Sequence, residues 1–147
     1  YPEATSISNE QLLGLEVDVL VPAAIDGVVT KDNAHTVKAR IIAEGANGPL
    51  TKEAIQIVTK KGAFLIPDIL CNAGGVIVSY FEWVQGLQSF FWDLEEVNKR
   101  LYSILRQSFD KVCSVQEQYR CDMKQAAFIT ALRRLETAMK LRGLFPS

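Results

Sequence analysis

The sequence of 147 residues predicts an α/β fold, in which three parallel strands alternate with helices and further helices follow. Two patterns lead to this prediction. Short apolar runs alternate with segments that carry helix-capping signals, and beyond them the apolar residues recur at helical spacing. Runs that are apolar throughout are typical of strands buried on both faces of a parallel sheet, and helices between such strands form right-handed crossovers.

The three apolar runs define the predicted strands. They lie near residues 17–22, 39–44 and 63–66. Pro22 ends the first run, a Gly-rich loop follows the second, and Pro67 ends the third. Three parallel strands make up half of a Rossmann-like dinucleotide-binding fold rather than a whole one. We expect the first strand at an edge of the sheet.

Helix signals precede and separate these strands. Ser8 and Gln11 form a capping box for a short helix, which Gly14 ends. Thr30 is expected to begin a second helix, because an acidic residue follows in its first turn. Thr51 caps a third helix that leads to the last strand.

The rest of the chain is predicted to be helical. One long helix runs from about Asp68 to Gln88, and Asp93 caps the next one. A last helix covers about residues 124–141, before Gly143 and Pro146. Its apolar residues recur at helical spacing: Phe128, Leu132, Leu135 and Met139.

Composition excludes several classes of function. The 16 basic and 17 acidic residues give a net charge of −1, which argues against a nucleic-acid-binding surface. The uncharged run 69–81 is shorter than the about 20 residues of a membrane-spanning helix. Three dispersed Cys and the single His35 argue against a zinc site and are typical of a reducing cytoplasm. No secretory leader is recognisable, and we expect the chain to begin inside a longer protein or after processing.

The first candidate functional segment is the loop Glu44–Pro49, just beyond the carboxyl end of the second strand. Ligands of open α/β sheets bind in that crevice. The side chain of Asn47 offers a carbonyl and an amide, which could pair with a carboxamide or a ribose hydroxyl. The alternative is a tight turn whose Asn tolerates an unusual backbone conformation.

The second candidate segment is the helical stretch from Asn72 to Trp83. Its two adjacent glycines cost a helix about 1 kcal/mol each relative to Ala, so close approach of a ligand or another helix should offset them. Asn72, Val76 and Ser79 share one helical face and could line a small-molecule pocket. The alternative is a core helix whose glycines serve packing.

One expected motif is missing. A complete Rossmann domain opens with Gly-x-Gly-x-x-Gly after its first strand, and the sequence contains no such string. Gly45 and Gly48 follow the second strand and cannot take that role. We therefore expect pyrophosphate binding and the choice between NAD and NADP to lie outside this segment.

Several ordered motifs together resemble the glutamate dehydrogenases of the Glu/Leu/Phe/Val dehydrogenase superfamily. They are Leu20–Ala24, Glu44–Pro49 and the stretch from Pro67 to Trp83, and the resemblance continues through Ala126–Ala127 to Gly143. It implies a C-terminal fragment of such an enzyme. Residues 1–90 would form the second half of the NAD(P)-binding domain, and residues 91–147 would be helices that pack back toward an absent substrate domain.

The resemblance also implies a reaction. It is the reversible oxidative deamination of L-glutamate to 2-oxoglutarate and ammonia with NAD or NADP, in a cytoplasmic homo-oligomer. The catalytic Lys and Asp of the family have no counterpart here, so no catalytic residue is assigned and the isolated fragment is expected to be inactive. No metal, nucleic acid or membrane is implied.

Family roles carry over where motifs match. Ala23 and Ala24 resemble residues that flank the adenosine side of the cofactor. Asn47 resembles the Asn that contacts the nicotinamide and its ribose, and Asn72 resembles an Asn that lines the nicotinamide and substrate cleft.

The substrate-binding roles fall on the helix. Val76 resembles the residue that packs on the aliphatic stem of the substrate, and Ser79 resembles the hydroxyl that binds the side-chain carboxylate of glutamate. Two alternatives remain: a non-catalytic nucleotide- or partner-binding module, and a related amino-acid dehydrogenase. Asn47–Pro49 and Ser79 argue against a leucine-type member of the superfamily.

Overall fold

The computed structural model describes residues 2–143 and confirms the predicted α/β fold with its parallel sheet. The strands are β1 (Val19–Leu20), β2 (Ile41–Ala43) and β3 (Phe64–Ile66), in the order β1-β2-β3. Both neighbouring pairs are parallel. The strand order places β1 at an edge of the sheet, as expected. The helices are α1 (Asn9–Leu13), the 3-10 helix Ala34–Thr36, α2 (Lys52–Lys60), α3 (Asp68–Cys71), α4 (Ala73–Gln88), α5 (Leu94–Tyr119) and α6 (Met123–Arg142).

The register of the sheet brings two strand ends together. Ile41 pairs with Phe64, and Ala43 pairs with Ile66. The residues that follow β2 and β3 therefore leave the sheet side by side, at its carboxyl edge. The core beneath this edge is apolar: Leu13, Val29, Ala34, Val37, Ala39, Ile42, Leu50, Ala54, Ile55, Val58 and Leu65 are buried.

Most of the predicted helix caps are confirmed. Ser8 and Gln11 form the reciprocal capping box at α1, and Gly14 is the C-cap. The hydroxyl of Thr51 accepts a hydrogen bond from the backbone of Ala54 at the start of α2. These caps satisfy backbone N–H groups that the first turn of a helix leaves without partners.

The prediction that an α-helix begins at Thr30 was wrong, because only turns and the 3-10 helix Ala34–Thr36 follow this residue. The side chain of Asn33 takes over the local hydrogen bonding. Its Oδ1 accepts from the backbone N–H of Thr30 at 2.8 Å, and its Nδ2 donates to the carbonyl of Val28 at 2.9 Å. Asn side chains compete in this way with helical backbone bonds. Val37 then returns the chain to an extended conformation.

The long helix predicted from Asp68 to Gln88 is divided at Asn72. Asn72 has φ −97° and ψ 5°, and it serves as the C-cap of α3. Its backbone N–H donates to the carbonyl of Asp68 at 3.0 Å. Helix α4 begins with the next residue. Asn72 is therefore a helix terminus and does not belong to the helix that carries Val76 and Ser79.

The described chain forms two compact units, which meet in sequence between Asn72 and Ala73. The first contains the sheet, and the second contains α4, α5 and α6. The boundary expected after residue 90 divides the cofactor-binding part from the terminal helices by function, and it stays a prediction.

Within the second unit, α5 packs against both α4 and α6. Asp93 caps α5 as predicted, with Oδ1 accepting from the backbone of Glu96 at 2.8 Å. Asp122 caps α6, and Gly143 ends it. Pro146 lies outside the described residues. None of the helices described here is long and apolar enough to cross a membrane.

Candidate functional site

The candidate site lies in the first unit, where the loop after β2 meets the chain after β3. Glu44 begins this loop and is fully buried. Its backbone N–H donates to the carbonyl of Ile66 at 3.0 Å. Its Oε2 accepts from the backbone N–H of Asp68 at 2.9 Å. One buried acidic residue thus joins the ends of two adjacent strands.

The first glycine of the loop is required by a close approach. A Cβ built on Gly45 would lie 2.9 Å from the Cβ of Ala23, on the loop that follows β1. The next residue, Ala46, donates its backbone N–H to the carbonyl of Pro22 at 2.9 Å. The loops after β1 and β2 are therefore held against each other.

The second glycine of the loop makes a turn. Gly48 has a φ of +56°, which glycine adopts at little cost. Its backbone N–H donates to Oδ2 of Asp68 at 2.8 Å. Gly48 also accepts from the N–H of Gly27 at 2.9 Å. The turn thus contacts both neighbouring loops.

Between these two glycines, Asn47 meets Asn72. The Nδ2 group of Asn72 donates to Oδ1 of Asn47 at 2.6 Å. Within residues 2–143, neither side chain makes another hydrogen bond. The pair therefore retains N–H groups of Asn47 and the Oδ1 of Asn72 for a ligand.

This pair forms one wall of a cleft of about 500 Å3. The cleft is lined by residues from the ends of β1, β2 and α3: Ala24, Ile25, Asp26, Gly45, Ala46, Asn47 and Asn72. Ala23 and Ala24 both line a neighbouring groove of about 350 Å3, beside α1. Four of the six residues singled out from the sequence are thus brought to adjoining concave surfaces.

The other two residues, Val76 and Ser79, lie on α4 in the second unit. Their spacing of three residues puts them on one face of that helix. Both side chains are exposed, and Val76 is 70% exposed. Gly75 beside them has no heavy atom within 4 Å of a Cβ built on it. This face of α4 is free to contact a small molecule or another polypeptide.

Sequence reasoning missed the buried link between Glu44 and Asp68. Two signals were available: an acidic residue directly after an apolar strand, and an acidic residue directly after Pro67 at a helix start. Ile25 and Asp26, which line the cleft, carried no recognisable signal. Their place depends on how the loop after β1 turns.

The thiol of Cys71 adjoins the same network. Burial raises the pKa of Cys71, and the negative charge of Glu44 raises it further. The thiol therefore stays protonated at neutral pH, which disfavours a nucleophilic role. Among the described residues, no group of three or more His, Cys, Asp or Glu side chains could hold a metal ion.

Several known proteins are similar to this chain in sequence and in fold. A family model described as Glutamate/Leucine/Phenylalanine/Valine dehydrogenase matches residues 1–143. A glutamate dehydrogenase of Thermotoga maritima is 51% identical over 146 residues, which are 99% of this chain and 35% of the relative. An NAD-specific glutamate dehydrogenase of Staphylococcus aureus is 48% identical over 138 residues, 94% of this chain and 33% of that protein.

The solved structures that match this chain are also glutamate dehydrogenases. The hetero-hexameric glutamate dehydrogenase of Thermus thermophilus, in a Leu-bound form, matches with a TM-score of 0.91 and 40% identity, over 98% of this chain and 35% of that one. The glutamate dehydrogenase of Peptoniphilus asaccharolyticus matches with a TM-score of 0.81 and 38% identity, over 85% of this chain and 32% of that one. The chain thus spans about a third of the length of these proteins.

Proposed function

Because the chain belongs to the Glutamate/Leucine/Phenylalanine/Valine dehydrogenase family, we propose that it is the C-terminal, cofactor-binding part of a glutamate dehydrogenase. The parent enzyme converts L-glutamate, water and NAD(P)+ to 2-oxoglutarate, ammonia and NAD(P)H. The similarity to two glutamate dehydrogenases at 51% and 48% identity favours this substrate over those of other family members.

The observation that carries the proposal is the bond between Asn47 and Asn72. Since Asn72 donates to the carbonyl of Asn47, the pair offers N–H donors from Asn47 and a carbonyl acceptor from Asn72. A primary carboxamide has one acceptor and one donor group, so it complements this arrangement. Nicotinamide carries such a group, and the cleft lies at the carboxyl edge of a parallel sheet, where α/β proteins bind ligands.

Ala23 and Ala24 support the adenosine end of the same cofactor. Both are exposed and line the groove beside the cleft. Small side chains leave room for a flat ring near the backbone, and the close contact of Ala23 with Gly45 holds this wall in place. Either NAD or NADP fits this proposal, because the choice between them is expected to lie outside this segment.

Val76 and Ser79 are the proposed substrate contacts. The apolar side chain of Val76 would pack on the aliphatic stem of glutamate, and the hydroxyl of Ser79 would donate to its side-chain carboxylate. Both groups are exposed on one face of α4 and are available to a ligand.

The cofactor, when bound, supplies the hydride chemistry. The residues of this chain would bind and orient: the Asn pair would hold the carboxamide of the nicotinamide, and Ser79 would place the substrate by its side-chain carboxylate. Orientation of this kind lowers the entropic part of a barrier. No residue here is assigned to proton transfer, so we propose that the fragment alone is inactive. The parent is proposed to be a cytoplasmic homo-oligomer.

The test is made in the full-length protein that contains this segment. Purified wild type should oxidise NADH or NADPH in the presence of 2-oxoglutarate and ammonia, and the isolated 147-residue chain should not. Asn47→Ala should raise the KM for the coenzyme by about 10-fold, as expected for one or two lost hydrogen bonds. The control is Asn98→Ala, which removes an exposed amide from α5.

Three results would contradict the proposal. A full-length protein that binds NAD(H) without turnover would indicate a binding module. Turnover restricted to a branched-chain or aromatic 2-oxo acid would indicate a related dehydrogenase. An unchanged coenzyme KM in Asn47→Ala would remove the Asn pair from the cofactor site.

A further inference from the structure

The carboxylate of Asp68 connects the two sides of the candidate site. Its Oδ2 accepts from the backbone N–H of Gly48 at 2.8 Å, and its Oδ1 accepts from the backbone N–H of Ile69 at 2.8 Å. We propose that Asp68 is a positioning residue, which holds Asn47 and Asn72 at hydrogen-bond distance and thereby orients the pair toward a carboxamide. The link to the carboxamide rests on the function proposed above.

Asp68 reaches Asn47 through the next residue in the chain. Gly48 is fixed at a φ of +56° and is bonded to Asp68 by its N–H. The peptide unit between Asn47 and Gly48 carries this N–H, so the bond fixes the plane from which the Asn47 side chain leaves the backbone. Asn47 itself is exposed and has no other side-chain partner than Asn72 within residues 2–143.

Asp68 reaches Asn72 through its own carbonyl. The backbone N–H of Asn72 donates to that oxygen at 3.0 Å, which is the last helical bond of α3 and is made by its C-cap. One residue therefore bonds to the backbone on both sides of the pair, with its side chain on one side and its carbonyl on the other. The side chains of Asn47 and Asn72 then meet at 2.6 Å although they are 25 residues apart.

Glu44 holds Asp68 in turn. The Oε2 of Glu44 accepts from the backbone N–H of Asp68 at 2.9 Å, and Glu44 is fully buried at the end of β2. This bond attaches Asp68 to the end of a sheet strand. Such support of a ligand-contacting side chain by a second set of hydrogen bonds is how binding sites keep their geometry.

The amide orientation matters because an Asn side chain has two opposite ends. If the Asn47 amide turned by 180°, its donor and acceptor would exchange, and the pair would present the wrong pattern to a carboxamide. The bond from Asn72 selects one orientation. Loss of the Asp68 anchor separates the two backbones and releases this selection.

The test variant is Asp68→Asn, which keeps the shape of the side chain. A carboxylate accepts on both oxygens, whereas the amide has one oxygen, so either the Gly48 bond or the Ile69 bond is lost. Glu44→Gln is the matched comparison, since its single oxygen still accepts from the Asp68 N–H. Asp32→Asn removes an exposed carboxylate elsewhere in the same unit and serves as the charge control.

The first measurement uses the 147-residue chain and no cofactor. In wild type, the side-chain amide of Asn72 should exchange with solvent more slowly than the exposed amide of Asn98, observed by NMR. Asp68→Asn should bring the Asn72 rate to that of Asn98, while Glu44→Gln and Asp32→Asn should leave it slow. Asp68→Ala, which loses both bonds, should have the same effect as Asp68→Asn. Unchanged protection in both variants, with circular dichroism showing an intact fold, overturns the positioning role.

The second measurement uses the full-length protein. Asp68→Asn should raise the coenzyme KM by about 10-fold, as for one lost bond to a charged group, and should change the KM for glutamate much less. Equal change in both constants indicates a merely structural role and overturns the proposal. Absence of turnover in wild type defeats the proposed function alone, because the exchange measurement still decides the role of Asp68.

Discussion

Gly45 and Ala23 approach so closely that a Cβ on Gly45 would lie 2.9 Å from the Cβ of Ala23. Real Cβ atoms do not come this near, and Ala23 cannot rotate its methyl group away. The contact locks the loop after β1 against the loop after β2, and both loops line the candidate site. The glycine is required here by space, since only Gly27, Gly48, Gly62 and Gly143 among the described glycines have a positive φ.

The first prediction concerns this contact. Gly45→Ala should lower the free energy of unfolding by about 1–3 kcal/mol, because the two loops must separate to admit the methyl group. In the full-length protein it should also weaken binding of the coenzyme. Chemical denaturation and a coenzyme titration measure the two effects. Wild-type values for both would show that the loops separate without cost.

A second prediction concerns Gly75 in α4. A Cβ at this position meets no heavy atom within 4 Å, so Ala should fit and should raise the free energy of unfolding of the isolated chain by about 1 kcal/mol. In the full-length protein the same change should reduce activity, because the added methyl group would occupy the space that we expect a ligand to approach. Thermal unfolding and kcat/KM separate the two effects. A stabilised and fully active Gly75→Ala enzyme would show that no ligand needs the space beside Gly75.

The neighbouring glycine provides the control for that experiment. A Cβ on Gly74 would contact Leu101 and Leu105 of α5 at 3.9 Å, an ordinary packing distance. Gly74→Ala should therefore stabilise the chain as Gly75→Ala does. Since this position faces α5, we expect it to leave coenzyme and substrate binding unchanged.

The third prediction concerns the reactivity of Cys71. Burial and the charge of Glu44 both raise the pKa of its thiol, so a smaller fraction is thiolate at any given pH. Alkylation of Cys71 should accelerate only as the pH passes above the ordinary value for cysteine. Glu44→Gln should move this acceleration to lower pH. The acceleration should still occur above the ordinary pH range for cysteine, because burial is the larger cause of the raised pKa. Mass spectrometry of alkylated peptides across a pH series gives the profile, and an ordinary profile in wild type would contradict the prediction.

The fourth prediction concerns association of the isolated chain. The four apolar residues predicted at helical spacing on α6 are each more than half exposed: Phe128 at 52%, Leu132 at 62%, Leu135 at 60% and Met139 at 53%. Large apolar patches promote contact with other chains. We expect a dimer or a higher species by light scattering, and a shift toward monomer in the double variant Leu132→Glu, Leu135→Glu.

The control for association is Arg134→Glu, which places the same side chain on another side of α6. It should leave the oligomeric state unchanged. A monomeric wild-type chain at high concentration would show that the stripe does not mediate self-association.

The fifth prediction concerns Ser79 in the full-length protein. A hydrogen bond to a charged group contributes about 1.5–3 kcal/mol. Ser79→Ala should therefore lower kcat/KM for glutamate by roughly 10- to 100-fold. It should leave kcat/KM for norvaline almost unchanged, because norvaline lacks the side-chain carboxylate. Ser114→Ala, an exposed serine on α5, should affect neither. An unchanged ratio of the two substrates would remove Ser79 from the substrate site.

The sequence by itself determined the sheet and most helix ends. Apolar runs and caps such as Ser8, Thr51 and Asp93 act within a few residues, so their effect can be predicted locally. The same reasoning failed at Thr30, where the side chain of Asn33 bonds to Thr30 and Val28 in place of a helical turn. Local competition of this kind leaves no distinct pattern of apolar residues.

The tertiary structure alone decided how the site is assembled. Asn47 bonds to Asn72 across 25 residues, and Gly48 bonds to Asp68 across 20. No spacing rule contains these pairs, because they depend on the parallel register that brings the ends of β2 and β3 side by side. At the division of the long helix, the side chain of Asn72 likewise makes a long-range bond, to Asn47. The sequence predicted which residues carry the chemistry, and long-range hydrogen bonds decided which of them meet.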